Sequence, residues 1–354
     1  MARPAETEEA APLVITIFYA LFCLFCGAVP SIAAPPHAAG RLIADRLEPI
    51  AEIVEKAVRD GKTPGAVVLV GNREKVVYRR AFGNRTLEPE KIPMTVDTIF
   101  DLASLTKVVA TTTAVMQLAE QGKLDIEAPV VRYWPAFGVK GKRKITVRQL
   151  LTHYSGLRPD LSMKPVWAGY KKAMAKIVAE RPVGPPGTEF IYSDINFEVL
   201  GELVRRVSGQ KFNKYCSKHI FKPLRMIDTG FIPPHSLLNR IAPTRHSPEK
   251  PLCAEANDPW CRNMGGVAGH AGLFSTADDL SVFAQMLLNR GIYRGTQILA
   301  PETVDMMTSP QSPDGKKEIR GLGWSLEAPF VSNRDELPQM GAYGHLGYTG
   351  TAIW

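Results

Sequence analysis

Apolar residues in this chain recur at spacings of three and four through the middle and alternate in short runs towards both ends. The stretch "RLIADRLEPIAEIVEKAVRDG" places Leu47, Ile50, Ile53, Val54 and Val58 on one helical face and stops at Gly61. "GAVVLVGN" and "KVVYRRAFGN" then read as two strands joined by the turn residues Gly71-Asn72, a hairpin. From "FDLASLTKVVATTTAVMQLAEQGKL" onward the pattern is helical, through "TVRQLLTHYSGL", "GYKKAMAKIVAE", "NFEVLGELVRRVSG" and "DDLSVFAQMLLNRG". Short strands are expected again in "GLGWSL" and "YGHLGYTGTAIW". Strands at both ends of a helical middle predict an α+β fold: an antiparallel sheet flanked by helices, with a mostly helical lobe inserted at about residues 110–290.

Composition agrees with a folded chain. Of 354 residues, 45% are hydrophobic and 22% charged, with no long polar or acidic tract. The formal charge is +8; residues 1–33 carry one Arg and three Glu, so the remainder carries +10. The basic residues gather in "VKGKRKITVR" and "YKKAMAK". A solvated basic face accounts for them better than an anionic polymer surface, and net charge alone does not support nucleic-acid binding.

The N-terminus stands apart. "PLVITIFYALFCLFCGAVPSIAA" is an apolar run ending in small residues, which predicts a secretory signal cleaved after Ala33. The preceding segment is acidic where a signal is normally basic, so an uncleaved membrane anchor is the alternative. Both readings place residues 34–354 outside the cytoplasm, periplasmic or secreted. Cys253 and Cys261 are open to two readings, a disulfide or two separate thiols, whereas Cys216 is expected in the core. No Cys/His spacing resembles a metal site, and no cofactor is expected.

Candidate chemistry begins at Ser104. A serine in the first turn of a helix sits where unpaired N–H groups and the dipole favour developing negative charge. Lys107, one turn later, shares its face, and a desolvated lysine with a lowered pKa would serve as base toward the hydroxyl. The Ser-x-x-Lys spacing is weak by itself and occurs at Ser104/Lys107, Ser208/Lys211 and Ser247/Lys250. Ser208 is followed at once by Gly209, a helix end, and Ser247 by Pro248 in a loop. Only Ser104 opens a long apolar helix.

Such a nucleophile also needs a second proton carrier and an oxyanion site. Tyr192-Ser193-Asp194, in a Pro/Gly-led loop just before a helix, is the only Tyr-x-Asp or Tyr-x-Asn in the chain. His-x-Gly occurs at His270-Ala271-Gly272 and at His345-Leu346-Gly347. The earlier copy leads into "LFSTADDL", where Ser275 or Thr276 caps a helix, and is expected to be a structural turn. The later copy lies in a glycine-rich strand that permits close substrate approach, which makes His345 the better candidate.

Taken in order, "SLTK", "YSD" and "HLG" resemble the three active-site motifs of the serine β-lactamase and penicillin-binding protein superfamily. The connecting segments "LLTHYSGL" and "GGVAGHAGLFSTADDLSVFAQML" are similar to its class C-like branch of esterases, D-amino-acid peptidases and cell-wall amidases. The resemblance runs from about Leu47 to Trp354 and implies a β-lactamase/transpeptidase-like fold and an acyl-enzyme mechanism. Ser104 would attack a carbonyl, Lys107 and Tyr192 would move protons, and the N–H groups of Ser104 and Tyr348 would hold the oxyanion. Asp194, His345, Gly347 and Tyr348 would line the oxyanion and substrate side.

Departures from the family pattern refine these expectations. His345 and Leu346 stand where β-lactamases usually carry Lys-Thr, and Leu346 donates no hydrogen bond, so weak or absent β-lactam hydrolysis is expected. Asp194 stands where many relatives have Asn, losing an amide donor but keeping an acceptor for Lys107. Relatives continue beyond the point matching Trp354 with further strands and a helix that packs on the N-terminal one, so a truncated product is expected. Two functional classes follow: a serine hydrolase acting on esters or cell-wall amides, and a membrane-anchored, penicillin-sensor-like domain that binds without turnover. An α/β-hydrolase is disfavoured, since no Gly-x-Ser-x-Gly elbow occurs.

Overall fold

The computed structural model describes residues 36–244, 253–326 and 342–354, with side chains from Leu47 onward. The expected leader, Cys23 and Cys26, and the Ser247/Lys250 pair lie outside the described residues. The chain divides into two compact units, Met1–Arg46 and Leu47–Trp354; the second carries the site discussed below. Among the described residues no helix is long and apolar enough to cross a membrane.

Helix α1 (Pro36–Arg59) fulfils the first periodic stretch. Its buried position is Ala51, while Ile53 is 68% exposed, so the apolar face is rotated from the one read off the sequence. Strands β1 (Gly65–Gly71) and β2 (Val76–Thr86) form the expected antiparallel hairpin. Its turn is closed by Asn72, whose side-chain oxygen accepts from the N–H groups of Glu74 and Lys75, both at 2.9 Å. β3 (Ile92–Pro93) extends this sheet.

A second antiparallel sheet sets the floor of the site. Its order is β4 (Phe100–Asp101), β6 (Leu273–Ser275), β5 (Gly230–Phe231). Pairing Asp101 with Phe274 brings the residues before Ser104 against the chain that has just left His270. After β4 the backbone makes one 3₁₀ turn (Ala103–Leu105), then a π-helical turn (Lys107–Thr112), then helix α2 (Thr113–Glu120). The helix expected from the pattern is therefore present but wound unevenly at its start, where a π turn commonly marks a functional position. It is buried almost throughout: Leu105, Val108, Val109, Val115 and Leu118 have no exposed surface.

The lobe around it is helical. α3 (Val147–Leu151) carries a complete capping box, with Thr146 and Gln149 satisfying each other's backbone N–H. It ends sooner than the pattern suggested, because His153 adopts a positive φ of 62° that no helix can continue. α4 (Tyr170–Ala179) and α5 (Asp194–Ser208) follow, then the short α6 (Phe212–Cys216). α5 ends at Gly209 in the left-handed region, as the reading of Ser208 anticipated. Ile195, Phe197, Val199, Leu200, Leu203 and Val204 bury its length in the main core, each contributing about 1.5–3 kcal/mol.

After the short helix α7 (Pro259–Asn263), α8 (Ala277–Leu288) is capped by Thr276, which accepts from the Asp279 N–H at 3.1 Å. α8 packs on β1, and Gln285 donates to the Asn72 carbonyl at 3.1 Å. The hairpin β7 (Ile292–Tyr293) and β8 (Thr296–Gln297) and helix α9 (Pro301–Met307) complete this side. "GLGWSL" forms no strand of its own; it makes single bridges, Arg320 to Ser325 and Ser325 to Gly344. β9 (His345–Leu346) and β10 (Ala352–Ile353) close as an antiparallel hairpin. Cys216, Cys253 and Cys261 are free thiols, so the disulfide alternative is not realised. Cys253 faces the carbonyls of Leu238 and Ile241, Cys261 that of Ala271.

Candidate active site

Ser104 is delivered by a strained turn. Ala103 before it has φ of 45°, a region a residue with a Cβ avoids. Three contacts hold it there: the Asp101 carboxylate accepts from the Ala103 N–H at 2.9 Å and from the Asn257 N–H at 2.5 Å, and Thr106 donates to the Ala103 carbonyl at 2.6 Å. Burial pushes the Asp101 carboxyl up to about 6, against the pull of those two backbone donors.

Lys107 is the centre of the arrangement. Its side chain has no exposed surface, and its Nζ lies 2.8 Å from Ser104 Oγ, 2.6 Å from an Asp194 carboxylate oxygen and 3.2 Å from the His270 carbonyl. The expectation of a lysine with a lowered pKa is overturned here. Burial does act to lower it, but the Asp194 carboxylate, with Tyr192 beside it, outweighs burial and holds the ammonium well above its ordinary range. Asp194 fills the acceptor role expected of it. It stands in the first turn of α5, where the dipole favours its charge.

Tyr192 closes the group from one side. Its ring centroid is 5.0 Å from Lys107 Nζ and stacks on His153 at 4.4 Å with an interplanar angle of 28°. His153 is buried and accepts from the Ser193 N–H at 3.0 Å, which ties the Tyr-Ser-Asp loop to the end of α3. Burial, then the charges of Arg320 and Lys107, keep this imidazole neutral.

His345 differs from its expected place. It is buried 6.1 Å from the Tyr192 ring and does not line the cleft. Burial lowers its pKa to about 3, with Lys107 adding to the effect. A neutral imidazole behind the tyrosine cannot act as the cation that a Lys-Thr-Gly motif supplies to a substrate carboxylate. Gly347 is required by space, because a Cβ there would lie 2.5 Å from the Leu102 carbonyl. Tyr348 is 90% exposed at the cleft mouth, and its backbone N–H has no hydrogen-bond partner among the described residues.

A cleft of about 790 Å³ opens over Ser104, between Tyr192 and Asp194 on one side and Asp258, Trp260 and His270 on the other. His270, read from the sequence as part of a structural turn, belongs to this wall. Its Nε2 is 2.9 Å from Asp258 and its Nδ1 is 3.6 Å from Glu198. Burial alone would lower it, but Asp258, Asp194 and Glu198 raise it to about 9. Asp160 and Asp258 escaped sequence reasoning because single aspartates in "LRPDLS" and "ANDPWC" carry no spacing signal. Asp194, Asp258 and His270 could offer ligand atoms within 4.8 Å of one another. Lys107, 2.6 Å from Asp194, already supplies positive charge there.

An apolar-buried Ser-x-x-Lys, a tyrosine against the lysine and a glycine-cleared hairpin in an α+β frame define a serine hydrolase of the β-lactamase type. The β-lactamase family pattern matches residues 50–354, and the chain belongs to this family. It is 33% identical over 347 residues to the N-acetylmuramyl-L-alanine amidase of Bacillus subtilis strain 168, covering 86% of this chain and 77% of that protein. It is 31% identical over 328 residues to a protein provisionally named a D-alanyl-D-alanine carboxypeptidase in Escherichia coli K12, covering 81% and 74%. A penicillin-binding protein homologue from Caulobacter crescentus shares the fold, with a TM-score of 0.69, 24% identity and 86% coverage of both chains.

Proposed function

We propose that the chain is an extracytoplasmic hydrolase that forms an acyl-enzyme on Ser104 and acts on amide bonds of cell-wall type, accepting small esters as well. The observation that carries this reading is Lys107, fully buried and shared between Ser104 Oγ at 2.8 Å and Asp194 at 2.6 Å. Lys107 stays an ammonium throughout. It stabilises the Ser104 alkoxide as it forms, while Tyr192, acting as a phenolate beside that ammonium, takes the hydroxyl proton and becomes the phenol. The Ser104 Oγ–carbonyl bond forms, and the oxyanion is received by the N–H groups of Ser104 and Tyr348. Collapse breaks the bond to the leaving group, to which Tyr192 returns the proton. Water then attacks the acyl-enzyme by the same route reversed and releases the acid.

Support for cell-wall amides comes from the names of the two relatives, and for a location outside the cytoplasm from the apolar N-terminal run. Leu346, and the neutral His345 beside it, leave a β-lactam carboxylate without its usual partners, so β-lactam turnover should be slow or absent. The test is a stopped-flow burst with p-nitrophenyl acetate, followed by mass spectrometry of muropeptides after incubation. One equivalent of burst, absent in Ser104→Ala, supports the acyl-enzyme. A long-lived adduct without turnover would replace hydrolysis with a binding role.

A further inference from the structure

The wall facing Ser104 contains a carboxylate that the mechanism above leaves unused. Asp258 Oδ1 accepts twice, from the Cys261 N–H at 2.6 Å and from His270 Nε2 at 2.9 Å. Its Oδ2 makes no hydrogen bond among the described residues, and the side chain is 18% exposed where it lines the cleft. One oxygen is thus fixed by the protein and the other is presented.

What fixes it reaches the catalytic group. His270 is 1% exposed, so it offers the cleft little surface of its own. Its imidazole bonds Asp258, its other nitrogen faces Glu198, and its carbonyl accepts from Lys107 Nζ. The next residue back, Gly269, packs on α5: a Cβ there would lie 2.0 Å from the Phe197 carbonyl. The position of Asp258 is therefore set by the same residue that helps aim Lys107.

Around the presented oxygen three carboxylates, Asp258, Asp194 and Asp160, outnumber two cations, Lys107 and the His270 imidazolium. Asp160 lines the same cleft, hydrogen-bonded with Asp194. Burial, then Asp194 and Asp258, push its carboxyl up to about 6. The nearby Arg262 directs one guanidinium nitrogen to the carbonyls of Ala256 and Asn257 at 2.6 and 2.5 Å and makes no ion pair with Asp258 among the described residues. A group entering the cleft beside Asp258 would be favoured if it brought hydrogen-bond donors and positive charge.

Resting on the serine-hydrolase reading of this site, we infer that Asp258 is a specificity-determining residue that receives a protonated primary amine next to the substrate's scissile carbonyl, and that His270 is its positioning residue. A charge-assisted hydrogen bond of this kind changes affinity by about 10- to 100-fold.

The experiment compares D-alanine p-nitroanilide with its N-acetyl form, which keeps the carbonyl and loses the cation, at a pH where the free amine is protonated. The wild type is expected to favour the free amine, and Asp258→Asn to lower that preference about 10- to 100-fold through KM. His270→Gln, whose amide can reach Asp258 as Nε2 does, should retain most of the preference, and His270→Ala should lose it. An equal loss on both substrates in Asp258→Asn would make Asp258 merely structural, and a wild-type preference for the acetylated form would also overturn the inference. Binding of the two corresponding amides to Ser104→Ala, with and without Asp258→Asn, reads the same preference without turnover. A chain that hydrolyses nothing yet binds the free amine through Asp258 would fail the hydrolase reading alone, whereas equal binding of both amides would fail this one.

Discussion

Lys107 and Asp194 form a 2.6 Å ion pair beside the Ser104 hydroxyl, with the lysine wholly out of water. Because burial opposes the charge, the carboxylate is what keeps the ammonium in place. Asp194→Asn should therefore let burial dominate and bring the Lys107 pKa down. Activity that depends on the ammonium is then lost at lower pH, so the alkaline limb of kcat/KM should move to lower pH than in the wild type. An unmoved limb would mean that the charge on Lys107 is not required.

Two serines share the same Ser-x-x-Lys spacing but not the same surroundings. Ser208 ends α5 and accepts from the Gln210 N–H at 3.1 Å, remote in role from any cleft. Ser104→Ala should abolish the burst, and Ser208→Ala should leave its amplitude within about twofold while costing under ~1 kcal/mol as the loss of one local hydrogen bond. Equal loss in both would undo the assignment of the nucleophile.

Tyr192 offers a clean separation of packing from proton transfer. Tyr192→Phe keeps the ring stacked on His153 and removes only the hydroxyl. The expected result is a fall in kcat of about 10²–10⁴-fold with little change in Tm. Rate constants for acylation and deacylation should both drop, since the residue serves both halves. A fall confined to KM would assign Tyr192 to binding.

Gly269 is where the cleft wall rests on α5. A Cβ there would meet the Phe197 carbonyl at 2.0 Å and the Gly201 nitrogen at 3.0 Å, all backbone, so neither neighbour can yield cheaply. Gly269→Ala is expected to destabilise by about 1–3 kcal/mol. Thermal melts should show the loss, and activity should fall with it because His270 follows directly. A variant as stable as the wild type would mean that the α5 contact is loose.

Much of this was legible in the sequence because it depends on local chemistry. The α+β frame, the β1–β2 hairpin, a helix cap at Ser275 or Thr276 and the place of Ser104 at a helix start follow from period, turn residues and spacing. Ser104, Lys107, Tyr192 and Asp194 converge as their motifs implied. What escaped was set by distance in space. The Lys107 pKa depends on a carboxylate 87 positions along the chain, and spacing within one helix predicts burial but not that partner. His345 keeps its place in the hairpin but faces Tyr192, since strand alternation does not reveal which neighbour fills the next layer. His270 looked like a turn because its backbone is one; its imidazole acquires meaning only from Asp258 and Glu198.

The hairpin turn after His345 is pinned to the segment leading into Ser104 by two threonines, Thr349 donating to the Asp101 carbonyl at 2.6 Å and Thr351 to the Leu102 carbonyl at 3.1 Å. Gly347 fits only because it lacks a side chain there. Segments nearly 250 residues apart are thus clasped into one opening unit. In hydrogen exchange the amides of Ala103 and Gly347 should open together, with matching dependence on denaturant. Loosening either threonine would then expose both sides of the proposed oxyanion pocket at once.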